Sequence, residues 1–193
     1  MATLYPSTYP KAPNPDDPEF EVYEILRKLP DQYSVFYSRK FKGTKAWEEE
    51  REIDFIIFDG KNFLLCLEVK GGMIEYNGPE DTWYQNGEKM KRRPDRQSSS
   101  AMQSVLAFLG SDAKNLNLGW ALGFPDCCLP DNFQPPPSLP DPIIIDQQRF
   151  NHVETAVESA GQSASFHALV AALDAPHADW LFGVRVYWEW SNA

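Results

Sequence analysis

No stretch of this sequence approaches the roughly 20 consecutive apolar residues that a membrane helix needs, so no membrane span is expected. The opening residues, MATLYPSTYPKAPNPDDPEF, lack the basic, then apolar, then small-residue order of a secretory signal. An intracellular, cytoplasmic protein is the expectation. Cysteine is scarce: Cys66, Cys127 and Cys128 form no pair of CxxC knuckles, and adjacent cysteines seldom close a comfortable disulfide. Neither a zinc site nor a disulfide framework is expected. Cations are also few, with 18 Lys and Arg against 28 Asp and Glu, and the net charge of −10 speaks against holding nucleic acid by overall charge. Proline is not scarce: 16 of them signal long irregular connections, while 42% apolar and 13% aromatic residues read as globular. A chain of 193 residues fits one ordinary domain, or a core domain with an appended C-terminal piece.

Residues 1–18 carry five prolines and no hydrophobic period, which predicts an extended arm. In EFEVYEILRKL, Val22, Ile25, Leu26 and Leu29 mark a short amphipathic helix closed by Pro30. YSVFYSRKF, EIDFIIF and NFLLCLEVK read as strands, the last two joined through Asp59-Gly60-Lys61. MIEY and TWYQNGEKM follow, with Asn86-Gly87 predicting a tight hairpin. Arg93-Pro94 opens a helix over 94–109, and LGWALGF is a further strand. A proline-rich loop fills 125–142, PIII is a short buried strand, and Asp146 is placed to cap a helix running to about Ser159. A helix over 163–173 and a strand-like tail, VRVYWEW, complete the reading. Trp188 and Trp190 could stack bases, but on one face of that tail they better suit a core or a docking surface for another domain. His152, His167 and His177 are scattered without ligand spacing.

The hairpin from Glu52 to Lys70 carries the chemistry. Alternation puts Leu64, Cys66, Glu68 and Lys70 on one face of the second strand and Asp54, Ile56 and Phe58 on one face of the first. A three-residue loop at 59–61 or 60–62 sets Asp54 opposite Cys66 or Glu68, with Asp54, Glu68 and Lys70 on a shared face. Both faces are otherwise apolar, and two carboxylates and an ammonium in such a place are costly unless they serve a purpose. A divalent cation supplies one: carboxylate oxygens with the backbone carbonyl of Val69 and waters suit Mg²⁺ or Mn²⁺. Such an ion can activate water and neutralise charge on a phosphodiester, with Lys70 orienting or deprotonating the water. An Asp followed at loose spacing by ExK is by itself a weak string, strengthened here by the apolar strands around it.

These residues resemble the nuclease-related domain (NERD), a branch of the PD-(D/E)XK superfamily often found ahead of superfamily 1 helicases. The likeness rests on EFEVYEILRKLPDQYSVFYSRKF, REIDFIIFDGKNFLLCLEVKGGMIEY, the Trp83 hairpin and RRPDRQ opening a helix that ends VLAFL, and it continues through GWALGFPD and PIIIDQQRF. It implies that Glu19 is the first-helix glutamate, Asp54 and Glu68 the metal-binding carboxylates, Lys70 the catalytic lysine and Gln97 the glutamine after the sheet. No glycine precedes Glu19 here, and Glu21 and Glu24 lie nearby. The stripe Gln97, Ala101, Val105, Leu109 separately places Gln97 at the head of a sheet-facing helix surface, where a polar group needs a partner. Lys89, Lys91, Arg92, Arg93 and Arg96 place five cations in eight residues just before and within the start of that helix, which makes them the candidate phosphate contacts. Arg39, Lys40, Lys42 and Lys45 are a second place to seek them.

The reading is therefore an α/β domain with a restriction-endonuclease-like core, a central mixed sheet of at least four strands flanked by helices. It divides into an arm at 1–18, a nuclease domain at 19–160 and a C-terminal extension at 161–193. The expected function is Mg²⁺- or Mn²⁺-dependent hydrolysis of DNA phosphodiesters, most simply as an endonuclease. DNA is the expected partner and, through the resemblance, a helicase domain or partner protein. The alternatives are a non-catalytic nucleic-acid-binding module and a protein-docking module on the same fold.

Overall fold

A β-hairpin sets the architecture of the computed structural model, which describes residues 1–162 except 13, 15, 42–50, 62, 137, 138 and 140–142. Strands β3 (Arg51–Phe58) and β4 (Phe63–Val69) pair antiparallel, with Phe55 opposite Leu67, Ile56 opposite Cys66 and Phe58 opposite Leu64. Asp59 turns the chain by accepting the backbone N–H groups of Lys61 and Phe63, each at 2.9 Å. Gly60 sits at φ 78° so close to the Gln32 carbonyl that a Cβ would lie 2.5 Å from its oxygen. Only glycine suits that corner.

Four more strands extend the hairpin into a six-stranded mixed sheet of order β1-β2-β3-β4-β8-β9, comprising also β1 (Thr3–Tyr5), β2 (Ser34–Phe41), β8 (Asn117–Phe124) and β9 (Ile144–Asp146). β2 runs antiparallel to β3, while β1, β8 and β9 each run parallel to their inner neighbours. The N-terminal arm is extended where β1 forms, but it belongs to the sheet, with Ala2 and Leu4 buried. Three residues are too few to show a hydrophobic period.

Helices cover both faces. Helix α1 (Pro18–Leu26) starts from Asp17, whose Oδ1 accepts the Glu19 N–H at 3.0 Å, with proline at the first helical position. Its Val22, Tyr23 and Leu26 join Val35, Tyr37, Phe55 and Ile57 in the larger core. A helix over 153–162 contributes Ala156, Val157 and Ala160 to the same core. Helix α2 (Pro94–Leu109) lies on the opposite face, packing Ala101 and Val105 with Ile53, Ile56, Leu64 and Cys66. The helix expected to run from Asp146 to about Ser159 comes in two pieces. Asp146 does cap, accepting the Arg149 N–H at 3.0 Å, but α3 (Gln147–Phe150) stops and a turn at 151–152 precedes the next helix.

A second sheet holds β5 (Ile74–Asn77), β6 (Thr82–Gln85) and β7 (Glu88–Lys89). Asn86 and Gly87 lie at φ 53° and 78°, the left-handed pair that a type I′ turn requires. Buried Trp83 joins this sheet to the main core through Tyr76 and Phe124. Among the described residues no helix is long and apolar enough to cross a membrane. The helix candidate at 163–173, the tail with Trp188 and Trp190, and His167, His177, Lys42 and Lys45 lie outside the described residues.

Candidate active site

The loop at 60–62 is the one the chain adopts, so the β3–β4 register continues to place Asp54 opposite Glu68. The ladder ends there, because Asp54 turns its carboxylate onto the backbone and Oδ2 accepts the Val69 N–H at 2.8 Å. Strict alternation fails at the same point. Ile53 and Ile56 both pack under α2, and Ser38, which faces Asp54 in the β2 register, takes a left-handed φ of 48°. A serine in that region is uncommon, and it sits beside the most polar part of the sheet.

Glu68 is buried and Lys70 is three-quarters covered, and Lys70 Nζ donates to Glu68 Oε1 at 2.6 Å. Burial raises the Asp54 carboxyl to about 7, with the nearby Glu68 charge adding to the effect. The Val69 N–H and the Lys70 ammonium oppose it, and Glu19 raises it further. Glu19 is therefore close enough to repel Asp54, although it arrives on a different element. The structure thus brings together Asp54 and Glu68 from the hairpin, Lys70 just beyond it, and Glu19 from the first turn of α1.

Two neighbours hold the same oxygen of Glu19. Tyr37 Oη donates to Oε2 at 2.5 Å, and Lys11 Nζ lies 3.0 Å from it. Tyr9 extends the cluster, donating to Asp17 Oδ2 at 2.8 Å with its hydroxyl 3.1 Å from that of Tyr37. Tyr37 and Lys11 were not singled out from the sequence. The signal for Tyr37 was there: with Tyr33 and Val35 it occupies the inward positions of the β2 segment, and a buried phenol needs a polar partner.

The backbone leaving Lys70 is held at successive atoms. The Lys70 N–H donates to Gly123 O at 2.9 Å, Gln85 Nε2 to Gly71 O at 2.7 Å, and the Gly72 N–H to Asp126 Oδ2 at 2.6 Å. A Cβ on Gly71 would lie 2.6 Å from Pro18, the first residue of α1. Glycine there lets the strand end pass directly beneath the turn that carries Glu19.

Gln97 is half-buried in the first turn of α2, but the buried stripe of that helix runs through Pro94, Asp95, Ser98, Ala101 and Val105. The polar group that reaches the sheet is Ser98, whose hydroxyl lies 3.3 Å from Cys66 O and 3.0 Å from Ala121 O. One proton is shared between the carbonyls of two adjacent parallel strands. Of the five cations near this helix, Lys89, Lys91, Arg92 and Arg96 are exposed. Arg93 is engaged, with Nη2 donating to buried Asp95 at 2.9 Å and Nη1 ion-paired with Asp81.

This arrangement can hold a hard cation and act on a bound anion. Asp54 and Glu68 interact across neighbouring strands with the Lys70 ammonium beside them, and carboxylate oxygens suit a hard cation. Among the described residues no group of three or more His, Cys, Asp or Glu side chains is arranged to hold a metal ion. Asp54 and Glu68, expected together with the Val69 carbonyl as metal ligands, are the residues that could hold an ion. The model of one protein family, the nuclease-related domain, matches residues 16–124, more than half of the chain. No curated protein and no solved structure matches the chain.

Proposed function

The chain belongs to the nuclease-related domain family, of PD-(D/E)XK type, and on that footing we propose that it hydrolyses phosphodiester bonds in DNA with a divalent cation, Mg²⁺ or Mn²⁺. The observation that carries this reading is the meeting of Asp54 and Glu68 across the hairpin, with the Lys70 ammonium 2.6 Å from Glu68. Burial first, and then the like charge of Glu68, raises the Asp54 carboxyl, and a cation between the two carboxylates relieves both. When bound, the ion would lower the pKa of water and neutralise charge on the phosphodiester.

The chain's own residues supply the rest. Asp54 is oriented by the Val69 N–H, which donates to its Oδ2 at 2.8 Å. Lys70, held by Glu68 and by its backbone bond to Gly123, is the group to orient water or to meet charge on the scissile phosphate. Glu19, fixed on one oxygen by Tyr37 and Lys11, adds a third carboxylate at the rim. Gln97, in the first turn of α2, is proposed as the glutamine that completes the site. Lys89, Lys91, Arg92 and Arg96 are the proposed phosphate contacts, and Arg93 holds the helix that presents Arg96. A helicase partner is compatible with the family and rests on it alone.

Cleavage of plasmid and of single-stranded oligonucleotide, followed with Mn²⁺ and with EDTA, tests the proposal. Wild type is expected to cut only with the metal, and Glu68→Ala to cut neither substrate. Lys70→Met should retain manganese binding by calorimetry while turnover falls by about 10²-fold or more. Metal-independent cutting, or full activity in Glu68→Ala, removes this site from the reaction.

A further inference from the structure

At the outer edge of the main sheet, Tyr5 of β1 lies opposite Phe36 of β2, and their rings stack at 4.9 Å with an interplanar angle of 12°. Arg39 brackets the pair. Its guanidinium lies over the Phe36 ring at 5.9 Å, and Nη2 donates to the Tyr5 carbonyl at 3.2 Å. Tyr5 is 43% exposed, one of the few large apolar side chains on the surface of the described residues. Lys40 follows Arg39 and is also exposed. Glu52, across from Lys40, is held by the Ser38 hydroxyl at 2.5 Å.

The platform neighbours the hairpin that carries Asp54. Phe36 pairs with Ile56, and Asp54 is two residues further along β3 on the same strand. With strands ~4.8 Å apart and a rise of ~3.4 Å per residue, the backbone at Phe36 is roughly 8 Å from that at Asp54, and the backbone at Tyr5 roughly 12 Å. An aromatic surface with a guanidinium beside it, next to a site for phosphodiesters, has the chemistry of a base-stacking step. Bases stack on aromatic rings while cations meet the adjoining phosphates. Duplex DNA keeps its bases stacked on one another, so only an unpaired base can use it.

We propose that the Tyr5–Phe36–Arg39 platform binds an unpaired base of a DNA strand led into the active site, so that the substrate is single-stranded or locally opened DNA. This rests on the nucleic-acid reading above and refines it. Tyr5 lies ahead of residues 16–124, so half of the platform is built by a strand outside the segment shared with the family. Glu52 is oriented by the Ser38 hydroxyl, and the Arg39 guanidinium, which brackets the rings, is the cation placed to meet a phosphate.

Binding in EDTA, where cutting is absent, separates this inference from the nuclease reading. Fluorescein-labelled oligo-dT and a hairpin duplex are the probes, with an oligonucleotide carrying 2-aminopurine to report stacking. Tyr5→Leu keeps an apolar cover over Phe36 but removes the flat ring. It is expected to weaken oligo-dT binding about 5- to 100-fold, to restore 2-aminopurine fluorescence, and to leave duplex binding and the melting temperature unchanged. Tyr5→Trp should bind as wild type, and Arg39→Ala should weaken oligo-dT binding without unfolding the protein. Unaltered oligo-dT binding in Tyr5→Leu, equal losses for both probes, or no binding of either by wild type overturns the proposal. Failure of the metal-dependent cleavage assay leaves these outcomes untouched and bears on the nuclease reading alone.

Discussion

Asp54 holds a proton in the folded chain over a pH range in which the unfolded chain has released it. Its carboxyl moves from an ordinary 3.8 to about 7, first through burial and then through Glu68. Between those values the folded state binds more protons, so its contribution to stability falls as pH rises through that window. At ~1.4 kcal/mol per pH unit the effect is bounded at ~4 kcal/mol. Asp54→Asn keeps an oxygen for the Val69 N–H and removes the charge. In EDTA at pH 8 the variant should melt above wild type, and at pH 4 the two should coincide. Adding Mn²⁺ at pH 8 should raise wild type and leave the variant unmoved. Equal melting temperatures throughout would mean that water reaches Asp54 freely and that no strain is stored there.

Among the elements, α2 shows how one run of like charge can do two jobs. Arg93 ties buried Asp95 to the exposed Asp81 turn of the small sheet, whereas Arg92 and Arg96 face water. Arg93→Ala strands a buried carboxylate and should destabilise the protein by about 3 kcal/mol, read from urea melts. Arg92→Ser with Arg96→Ser should leave those melts alone and reduce the slope of log affinity against log salt by up to ~1.8 on duplex DNA. The opposite pattern would exchange the two roles. The hairpin, α2 from Pro94 to Leu109, and the Asn86-Gly87 turn were legible in the sequence because each rests on a local signal: alternation, an N-terminal proline, and a left-handed pair. The pairing of Asp54 with Glu68 was legible for the same reason, once the loop was one of two. What the sequence withheld depends on distant contacts. β1 is too short to show a period, Ser98 is defined by carbonyls on β4 and β8, and Arg93 looks like its neighbours until Asp81 and Asp95 are seen around it. Burial of Ile53 together with Ile56 breaks alternation, so no periodic reading could have found it.

For the molecule as a whole, the core does not stop where the family match does. Ile143, Ile144, Ile145, Phe150, Val157 and Ala160 pack with Leu65, Leu122 and Phe124 in one cluster, although all six lie beyond residue 124. A chain ending at 124 should therefore aggregate or lose its cooperative melt, and one ending at 162 should keep it. A sharp transition in the shorter chain would make the later segment an accessory. Strand β4 carries a further consequence through its two neighbours. It meets β3 across a three-residue turn, whereas β8 reaches it only after the small sheet and α2 have intervened. Short loops close within about a microsecond, and long-range parallel pairing is slow. During refolding Asp54 and Glu68 thus come face to face while both are still wet, and they are covered only when β8 and α2 arrive. The repulsion between them then lies on the native side of the barrier. In a chevron at pH 8, Asp54→Asn should slow the unfolding limb and leave the refolding limb where it is, which makes the Asp54–Glu68 repulsion a clock for how long the folded molecule lasts.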